Sequence, residues 1–335
     1  MPARATVRTI PNKGQGLVAI GGTFREGDEI ISESPLGEIP GTLMEIFDED
    51  SFYDARHRKN GLHVIDIMVG SMSAPNRQLF NQLHSTDGTN PDIVLHNAFS
   101  NYSIVEGQHM HEVRVYNKIS RANNSCEPNA MYSYNSTTGL GALRAIRSIP
   151  SGTEITIEYQ ALEEDSLRFK THRRTKLRKQ YSFVCSCTAC QASTAVGRER
   201  DTAGVQAKQA ELDRQSIPAN GGTEAARVQR LVNLDTYITS LRNLDIRDFK
   251  LSNAYVHRAE VHRQGYELAK GNVAVHCATC IATNTPWGHL EQAQNDLLKA
   301  LRNNSVCYGL EHLETEEICD LMAQVARLMV GIPLP

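Results

Sequence analysis

Short runs of alternating apolar and polar residues dominate the first 160 positions of the chain. Clear examples are residues 16–20, 29–31 and 155–157, and Gly, Pro, Asn or Ser residues separate such runs. Alternation over a few residues predicts a half-buried strand, and frequent turn residues predict that each strand is short. The pattern therefore predicts several small, strongly turning sheets.

Helical spacing of apolar residues replaces this alternation in two parts of the chain. Residues 41–47 and 76–83 predict helices, so residues 40–100 are interpreted as a mostly helical insertion. After a polar joint that follows Cys190, four segments have helical spacing: residues 225–244, 251–270, 290–302 and 315–330. They predict stacked helices, either a plain bundle or a repeat array of the tetratricopeptide type. The Gly- and Pro-containing residues 218–222 predict an exposed loop.

Composition narrows the class of protein without identifying it. Lys and Arg number 35 against 38 Asp and Glu, so no overall field recruits nucleic acid or an anionic membrane. There is neither an apolar stretch of membrane-spanning length nor a recognisable signal peptide at the start. We expect a soluble, intracellular protein, nuclear or cytoplasmic, of two domains or of one domain with an appendage.

Four of the eight cysteines have the spacing of a metal site. Cys185, Cys187 and Cys190 lie within six residues, and Cys126 is the best candidate for a fourth ligand. Because structural Zn²⁺ prefers a closed shell of four sulfur or nitrogen ligands, the quartet predicts one structural zinc ion. Residues 277–280 form a second Cys-x-x-Cys, for which thiols packed between helices are favoured over a second zinc site.

Five landmarks occur in the order typical of one family. They are residues 12–19, 27–36, 97–99 with 115–130, 143–159, and 177–190. Together they resemble a SET domain, closest to fungal-type SET proteins and to the SET and MYND domain lysine methyltransferases. Residues 35–116 contain no cysteine, so the MYND finger is absent.

The resemblance implies a fold and a division of the chain. The expected class is α+β, with several small twisted β-sheets, a helical insertion, a zinc-binding post-SET segment and a C-terminal helical, tetratricopeptide-like domain. The implied SET domain covers residues 1–160, the post-SET segment residues 161–192, and the helical domain residues 193–335.

The resemblance also implies a cofactor, S-adenosylmethionine. Gly14 and Gly16 predict a turn in which missing side chains let a ligand approach the backbone. Asn124 stands where the family commonly has histidine. The position therefore lacks the imidazole ring but has a side-chain amide with hydrogen-bonding groups. The implied cofactor contacts are Gly14, Gln15, Gly16, Leu17, Asn97, Asn123, Asn124, Tyr159 and Phe183.

Tyr159 is the implied catalytic residue, at the end of a predicted strand, with its hydroxyl beside the transferred methyl group. Tyr181 and Phe183 are the implied walls of a substrate lysine channel. Tyr132 and Tyr134 could add to it, although packing within strands is the favoured interpretation. The basic residues 168–179 are interpreted as a solvated helix face before the cysteine cluster.

The resulting hypothesis is protein-lysine N-methylation of a protein substrate. The alternative is a SET-fold protein without that activity, acting as a binding module or on a small molecule. The sequence leaves the substrate, the number of methyl groups and the oligomeric state open.

Overall fold

The structure is a computed structural model that describes residues 1–40, 58–105, 108–159, 167, 169–215, 223–271, 287–309 and 313–329. The strands are β1 (Arg4–Ile10), β2 (Gly14–Ile20), β3 (Glu29–Glu33), β4 (Gly37–Ile39), β5 (Ala98–Val105), β6 (Gln108–Val115), β7 (Asn123–Asn124), β8 (Ala130–Asn135), β9 (Leu140–Ala145) and β10 (Glu154–Ile157). The helices are α1 (Arg58–Ser71), α2 (Ala74–Phe80), α3 (Asn90–Asn97), α4 (Lys170–Tyr181), α5 (Thr188–Gln191), α6 (Thr194–Gln215), α7 (Glu224–Asn243), α8 (Phe249–Gly271), α9 (Trp287–Cys307) and α10 (Leu313–Met329). The α+β class and the C-terminal helices are confirmed.

The strands form three small sheets. Their orders are β1-β2-β10-β7, β3-β9-β8 and β4-β6-β5. Strand β10 pairs antiparallel with β2 and parallel with β7, so it lies at the centre of the first sheet. This arrangement places β2, which begins with Gly14, and the two asparagines of β7 on opposite sides of the same short strand.

Helices of the insertion pack on the third sheet. Apolar residues of α1 and α3, including Val64, Met68 and Val94, share one core with Ile39 of β4 and Val115 of β6. Burial of such a contiguous apolar set is the main stabilising contribution to a small core. The predicted helix over residues 41–47 lies outside the described residues.

The chain divides into two compact units. One consists of Met1–Ile157 and Thr175–Cys185, and the other of Glu158–Arg174 and Ser186–Pro335. In the second unit, helices α6 to α10 surround a core that includes Leu234, Leu241, Leu290 and Leu297. The domain boundaries at residues 160 and 192 remain predictions. Among the described residues, no helix is both long and apolar enough to cross a membrane.

Helix α6 corrects one expectation, because residues after Cys190 were predicted to form a polar joint. Its core contacts are made by small side chains, Ala207 and Ala210, and Glu211 is also buried. Sequence periodicity is weak when alanines supply the apolar face. The predicted loop over residues 218–222 lies outside the described residues, as do Cys277 and Cys280.

Two buried histidines interrupt the apolar packing of α8 and α9. His262 and His289 lie with ring centroids 6.2 Å apart, and His262 Nε2 is 4.0 Å from Asp296 Oδ2. Burial lowers the pKa of each imidazole to about 4; Arg227 also lowers both values, whereas Asp296 raises that of His262. The folded helical unit therefore holds both rings neutral.

We expect this pair to make the helical unit acid-sensitive. Because both pKa values are lower in the folded state than the ordinary value near 6.5, unfolding takes up protons. The stabilisation is complete above pH 6.5 and is lost as the pH falls towards 4; between pH 7 and 5 the loss is roughly 3 kcal/mol for the pair. Urea unfolding followed by circular dichroism across this range measures it. The double variant His262→Gln and His289→Gln should flatten the profile, and an unchanged slope would contradict the assignment.

Candidate functional site

Gly14 and Gly16 were predicted to lie in a turn, but both belong to strand β2, and the turn lies just before them at residues 11–13. The two glycines have different constraints. Gly14 has φ +74°, and no atom lies within 4 Å of the position that a Cβ would occupy there. At Gly16 a Cβ would lie 2.6 Å from Ile10 Cγ1 and 2.7 Å from Asn123 Nδ2. Gly16 is therefore required by packing, whereas Gly14 leaves open space beside the backbone.

Asn123 connects the start of β2 to β10. Its Nδ2 donates to the Gln15 carbonyl oxygen at 3.3 Å and to Glu154 Oε1 at 2.8 Å. Lys13 Nζ approaches Glu154 Oε2 at 2.6 Å, so one carboxylate holds both the turn and Asn123. Glu154 and Lys13 were not among the predicted site residues. Their only sequence signal is a carboxylate at the start of a β-type run and a lysine beside Gly14.

Two other predicted cofactor contacts are already engaged in the fold. Asn97 is buried at the end of α3, and its Nδ2 donates to the carbonyl oxygens of His84 and Ile93, both at 2.7 Å. These two bonds use both hydrogens of the amide group. Leu17 of β2 is fully buried and pairs with Val7 of β1. The cofactor contacts assigned to Asn97 and Leu17 stay predictions.

Asn124 turns in the opposite direction from Asn123, as successive strand residues do. Its side chain is buried, and Nδ2 donates to Cys185 Sγ at 3.5 Å. Sequence reasoning assigned this residue to the cofactor, and its contact with a cysteine sulfur was not predicted.

The four predicted zinc ligands come together. The Sγ atoms of Cys126, Cys185, Cys187 and Cys190 all lie within 4.8 Å of one another, and all four residues are buried. Zinc–sulfur bonds of about 2.3 Å in a tetrahedron place sulfurs about 3.8 Å apart, so small side-chain movements suffice to enclose the ion. The donor set and its spacing fit zinc.

Local backbone structure explains this convergence. Cys187 caps helix α5, and its carbonyl oxygen accepts from the Cys190 amide at 2.9 Å, which brings the two thiols onto one helical turn. The segment around Cys126 is held because the Ser125 amide donates to the Ile157 carbonyl at 2.8 Å and Asn129 Nδ2 donates to the Glu154 carbonyl at 2.8 Å. Both contacts anchor it to β10.

Tyr181 and Phe183 lie on either side of a sharp change in chain direction. Ser182 has φ +60°, and its amide donates to the Arg178 carbonyl at 3.1 Å, which ends α4. A left-handed residue commonly terminates a helix in this way. The turn places the two rings 6.4 Å apart, and Val184 beyond them is 46% exposed.

The tyrosines of β8 contact residues in or next to β6. Tyr132 shares a 2.8 Å hydroxyl–hydroxyl hydrogen bond with the fully buried Tyr116, whose pKa is raised, chiefly by burial. Arg114 lies over the ring of Tyr134 at 3.5 Å.

Tyr159 is half-buried and follows the end of β10 by two residues. The residue before it, Glu158, belongs to a buried ion network with Lys250. Lys250 Nζ is 2.7 Å from Asp248 Oδ2 and 3.6 Å from Glu158 Oε2. Burial alone would lower the pKa of Lys250, but the two carboxylates outweigh it, and the pKa is raised. The lysine is thus a buried cation.

The cysteines outside the quartet form no second metal-type cluster among the described residues. Cys307 is buried in α9 and its Sγ donates to the Arg247 carbonyl at 3.0 Å, as expected of a thiol packed between helices. Cys319 lies in α10 and is exposed. Residues 170–179 of the basic run lie in helix α4, where Arg178 and Lys179 are exposed and Arg173 is buried and paired with Asp201.

Parts of this chain are similar to known proteins. Residues 22–160 match the family model described as the SET domain. Histone-lysine N-methyltransferase SMYD3 of Homo sapiens is 44% identical over 79 residues, which are 24% of this chain and 17% of that protein. Protein-lysine N-methyltransferase SMYD4 of Homo sapiens is 39% identical over 77 residues, 23% of this chain and 9% of that protein. The matched stretch thus spans less than a fifth of each relative.

One solved structure, the SET domain of LSMT bound to lysine and AdoHcy, aligns with 98% of this chain and 89% of its own. Its sequence identity is 13% and its TM-score is 0.29, too low to define which elements correspond.

Proposed function

We propose that this chain is an S-adenosylmethionine-dependent protein-lysine N-methyltransferase. The match to the SET domain model and the similarity to the SET and MYND domain lysine methyltransferases support this proposal. The observation that supports this most directly is the hydrogen bonding of Asn123. It joins Gln15, at the start of β2, to β10, the strand that leads to Tyr159. Residues from three distant parts of the sequence thereby meet in one sheet.

The start of β2 fits a ligand that contacts backbone atoms. Open space beside Gly14 leaves its peptide groups accessible, and the Gln15 carbonyl is already fixed by Asn123. S-adenosylmethionine, when bound, supplies an electrophilic methyl group on a sulfonium. The protein's own contribution is mainly to hold the acceptor amine and the cofactor in line.

The acceptor lysine must lose its proton before it can attack. Free lysine has a pKa of about 10.4, so nearly all of it is protonated at neutral pH. An apolar, aromatic channel favours the neutral amine because it removes water from the ammonium form. Tyr181 and Phe183 are the proposed walls, and the Tyr159 hydroxyl is the proposed hydrogen-bonding group that orients the reactants.

Zinc in the four-cysteine cluster has a structural role in this proposal. Four cysteine ligands leave no open coordination position for a substrate or for a reactive water, as closed sites generally do. Cys126, Cys185, Cys187 and Cys190 would hold the ion, and the segment carrying Tyr181 and Phe183 leads directly into it.

Replacement of Tyr159 tests the catalytic assignment. We expect Tyr159→Phe to lower methyl transfer by about 100-fold or more, since loss of precise orientation costs on that order. Transfer is measured from methyl-labelled S-adenosylmethionine to core histones and to a mixed protein extract, with cofactor binding measured by titration calorimetry. Cofactor affinity should change by less than about threefold, because the hydroxyl acts mainly in the transition state.

Tyr255→Phe is the matched control. Tyr255 is a buried tyrosine of α8, and its ring lies next to Arg258 and Lys299. Its variant should retain full transfer and unchanged zinc content. Unchanged turnover in Tyr159→Phe would remove that residue from its role. No binding of S-adenosylmethionine to the zinc-loaded protein would instead support a binding module, and a labelled small molecule in place of protein would indicate small-molecule chemistry.

A further inference from the structure

The side chain of Asn124 is directed toward the cysteine cluster. Its Nδ2 lies 3.5 Å from Cys185 Sγ, and both residues are buried in one unit of the chain. Sulfur is a large, diffuse acceptor, so a nitrogen–sulfur separation of this length is a hydrogen bond. The donor is an uncharged amide, which keeps a second hydrogen and the Oδ1 acceptor for other neighbours.

A zinc ion with four thiolates has an excess of negative charge. The ion brings two positive charges and the thiolates bring four negative ones, so the cluster has a net charge of two minus. The exposed fractions of its cysteines are only 3–8%. Charge removed from water requires hydrogen-bond donors around it, because desolvation otherwise penalises the ionised form.

We propose that Asn124 is a positioning residue of the metal site, whose side-chain amide donates to the zinc-bound thiolate of Cys185. The inference rests on the zinc site of the proposed function and is independent of methyl transfer. The amide stabilises the thiolate charge and fixes the direction of the sulfur lone pairs toward the ion. Donors in this outer position commonly change metal affinity by 10- to 100-fold.

The adjacent asparagine shows why the assignment is specific to one residue. Asn123 faces the Gln15 carbonyl and Glu154, whereas Asn124 faces Cys185. Both are fixed by β10, with Thr156 opposite Asn123 and Ile157 opposite Asn124 in the parallel pairing. The backbone register therefore directs the Asn124 side chain toward Cys185 Sγ.

Direct detection uses the unaltered full-length protein loaded with cadmium-113. Cadmium binds thiolates as zinc does, and its nuclear spin couples to protons across a hydrogen bond to the ligand sulfur. We expect a scalar coupling between the cadmium nucleus and the side-chain amide protons of Asn124. A cadmium-loaded protein in which Asn124 shows no coupling would overturn the proposal while leaving the zinc site and the methyltransferase proposal intact. A protein that takes up no metal would overturn this proposal together with the zinc site.

Substitution gives a second, independent readout. Asn124→Ala removes the donor, and Asn124→Asp replaces it with an acceptor of equal size. With zinc replaced by Co²⁺, both variants should shift the sulfur-to-cobalt charge-transfer band to longer wavelength, because a thiolate without a donor gives up an electron more easily. Zinc affinity, measured by competition with a chromogenic chelator, should fall at least about 10-fold.

Ser125→Ala is the control for general disturbance of this segment. Ser125 is buried beside Cys126, and its Oγ accepts from the Glu127 amide at 3.1 Å. Its variant should keep the charge-transfer band of the unaltered protein. An Asn124→Ala protein with the same band and zinc affinity as Ser125→Ala would contradict the proposal.

Discussion

Metal-free protein is expected to melt at least about 10 °C below the zinc-loaded protein, because structural zinc contributes several kcal/mol to folding and 1 kcal/mol moves the Tm of a domain of this size by about 2–4 °C. The sulfurs of the four buried cysteines lie within 4.8 Å of one another, so bonds from one ion to all of them add to the stability of the folded chain. Scanning calorimetry before and after chelation under reducing conditions measures the shift. Metal analysis of freshly purified, reduced protein should give one zinc per chain.

Cysteine variants provide the matched comparison for zinc removal. Cys187→Ser should lose the ion and reproduce the melting temperature of the metal-free protein, since a serine hydroxyl is a poor zinc ligand. Cys319→Ser alters an exposed cysteine in α10 and should behave as the unaltered chain. If purified protein holds no zinc, or if chelation leaves the Tm unchanged, the structural role of the cluster is wrong.

Lys250→Met is expected to destabilise the helical unit by about 3–5 kcal/mol, the usual cost of removing one partner from a buried ion pair. Lys250 is 4% exposed, and its ammonium lies between the Asp248 and Glu158 carboxylates. Methionine fills a similar volume but leaves two buried carboxylates without their cation. Chemical denaturation at neutral pH measures the change in the free energy of unfolding.

Two comparisons separate charge from packing. Adding Asp248→Asn and Glu158→Gln to Lys250→Met removes the uncompensated charge and should recover part of the loss. Arg247→Gln breaks the exposed pair with Asp245 nearby and should cost no more than about 1 kcal/mol. A Lys250→Met protein as stable as Arg247→Gln would show that the network contributes little.

Local sequence patterns predicted the strands and helices whose apolar residues follow a strong periodicity. Alternation in residues 16–20 and 155–157 predicted β2 and β10, and helical spacing predicted α7 to α10 within a few residues at most ends. Helix α6 was missed because Ala207 and Ala210 make its core contacts. Alanine carries little hydrophobic contrast, so the helix has a contact face that periodicity does not reveal.

Some features of the candidate site could likewise be predicted from the sequence, and others could not. Metal-ligand spacing depends on residue type and local turns, so the cysteine quartet could be predicted from the sequence. The partners of side chains depend on how distant segments meet, as with Asn124 and Cys185, 61 positions apart. Glu154 and Lys250 were missed for the same reason, because a lone charged residue looks solvated until its burial is known.

Adjacent positions 123 and 124 can evolve independently because the strand points their side chains to different partners. A lineage that exchanged its methyl donor for another ligand would come under altered selection at Asn123, while Asn124 would remain constrained by the metal. Conversely, a lineage that replaced zinc with other stabilising contacts could vary Asn124 and keep Asn123. Under the proposed roles, the residue at position 124 bears on the metal site and is no measure of whether the chain transfers methyl groups.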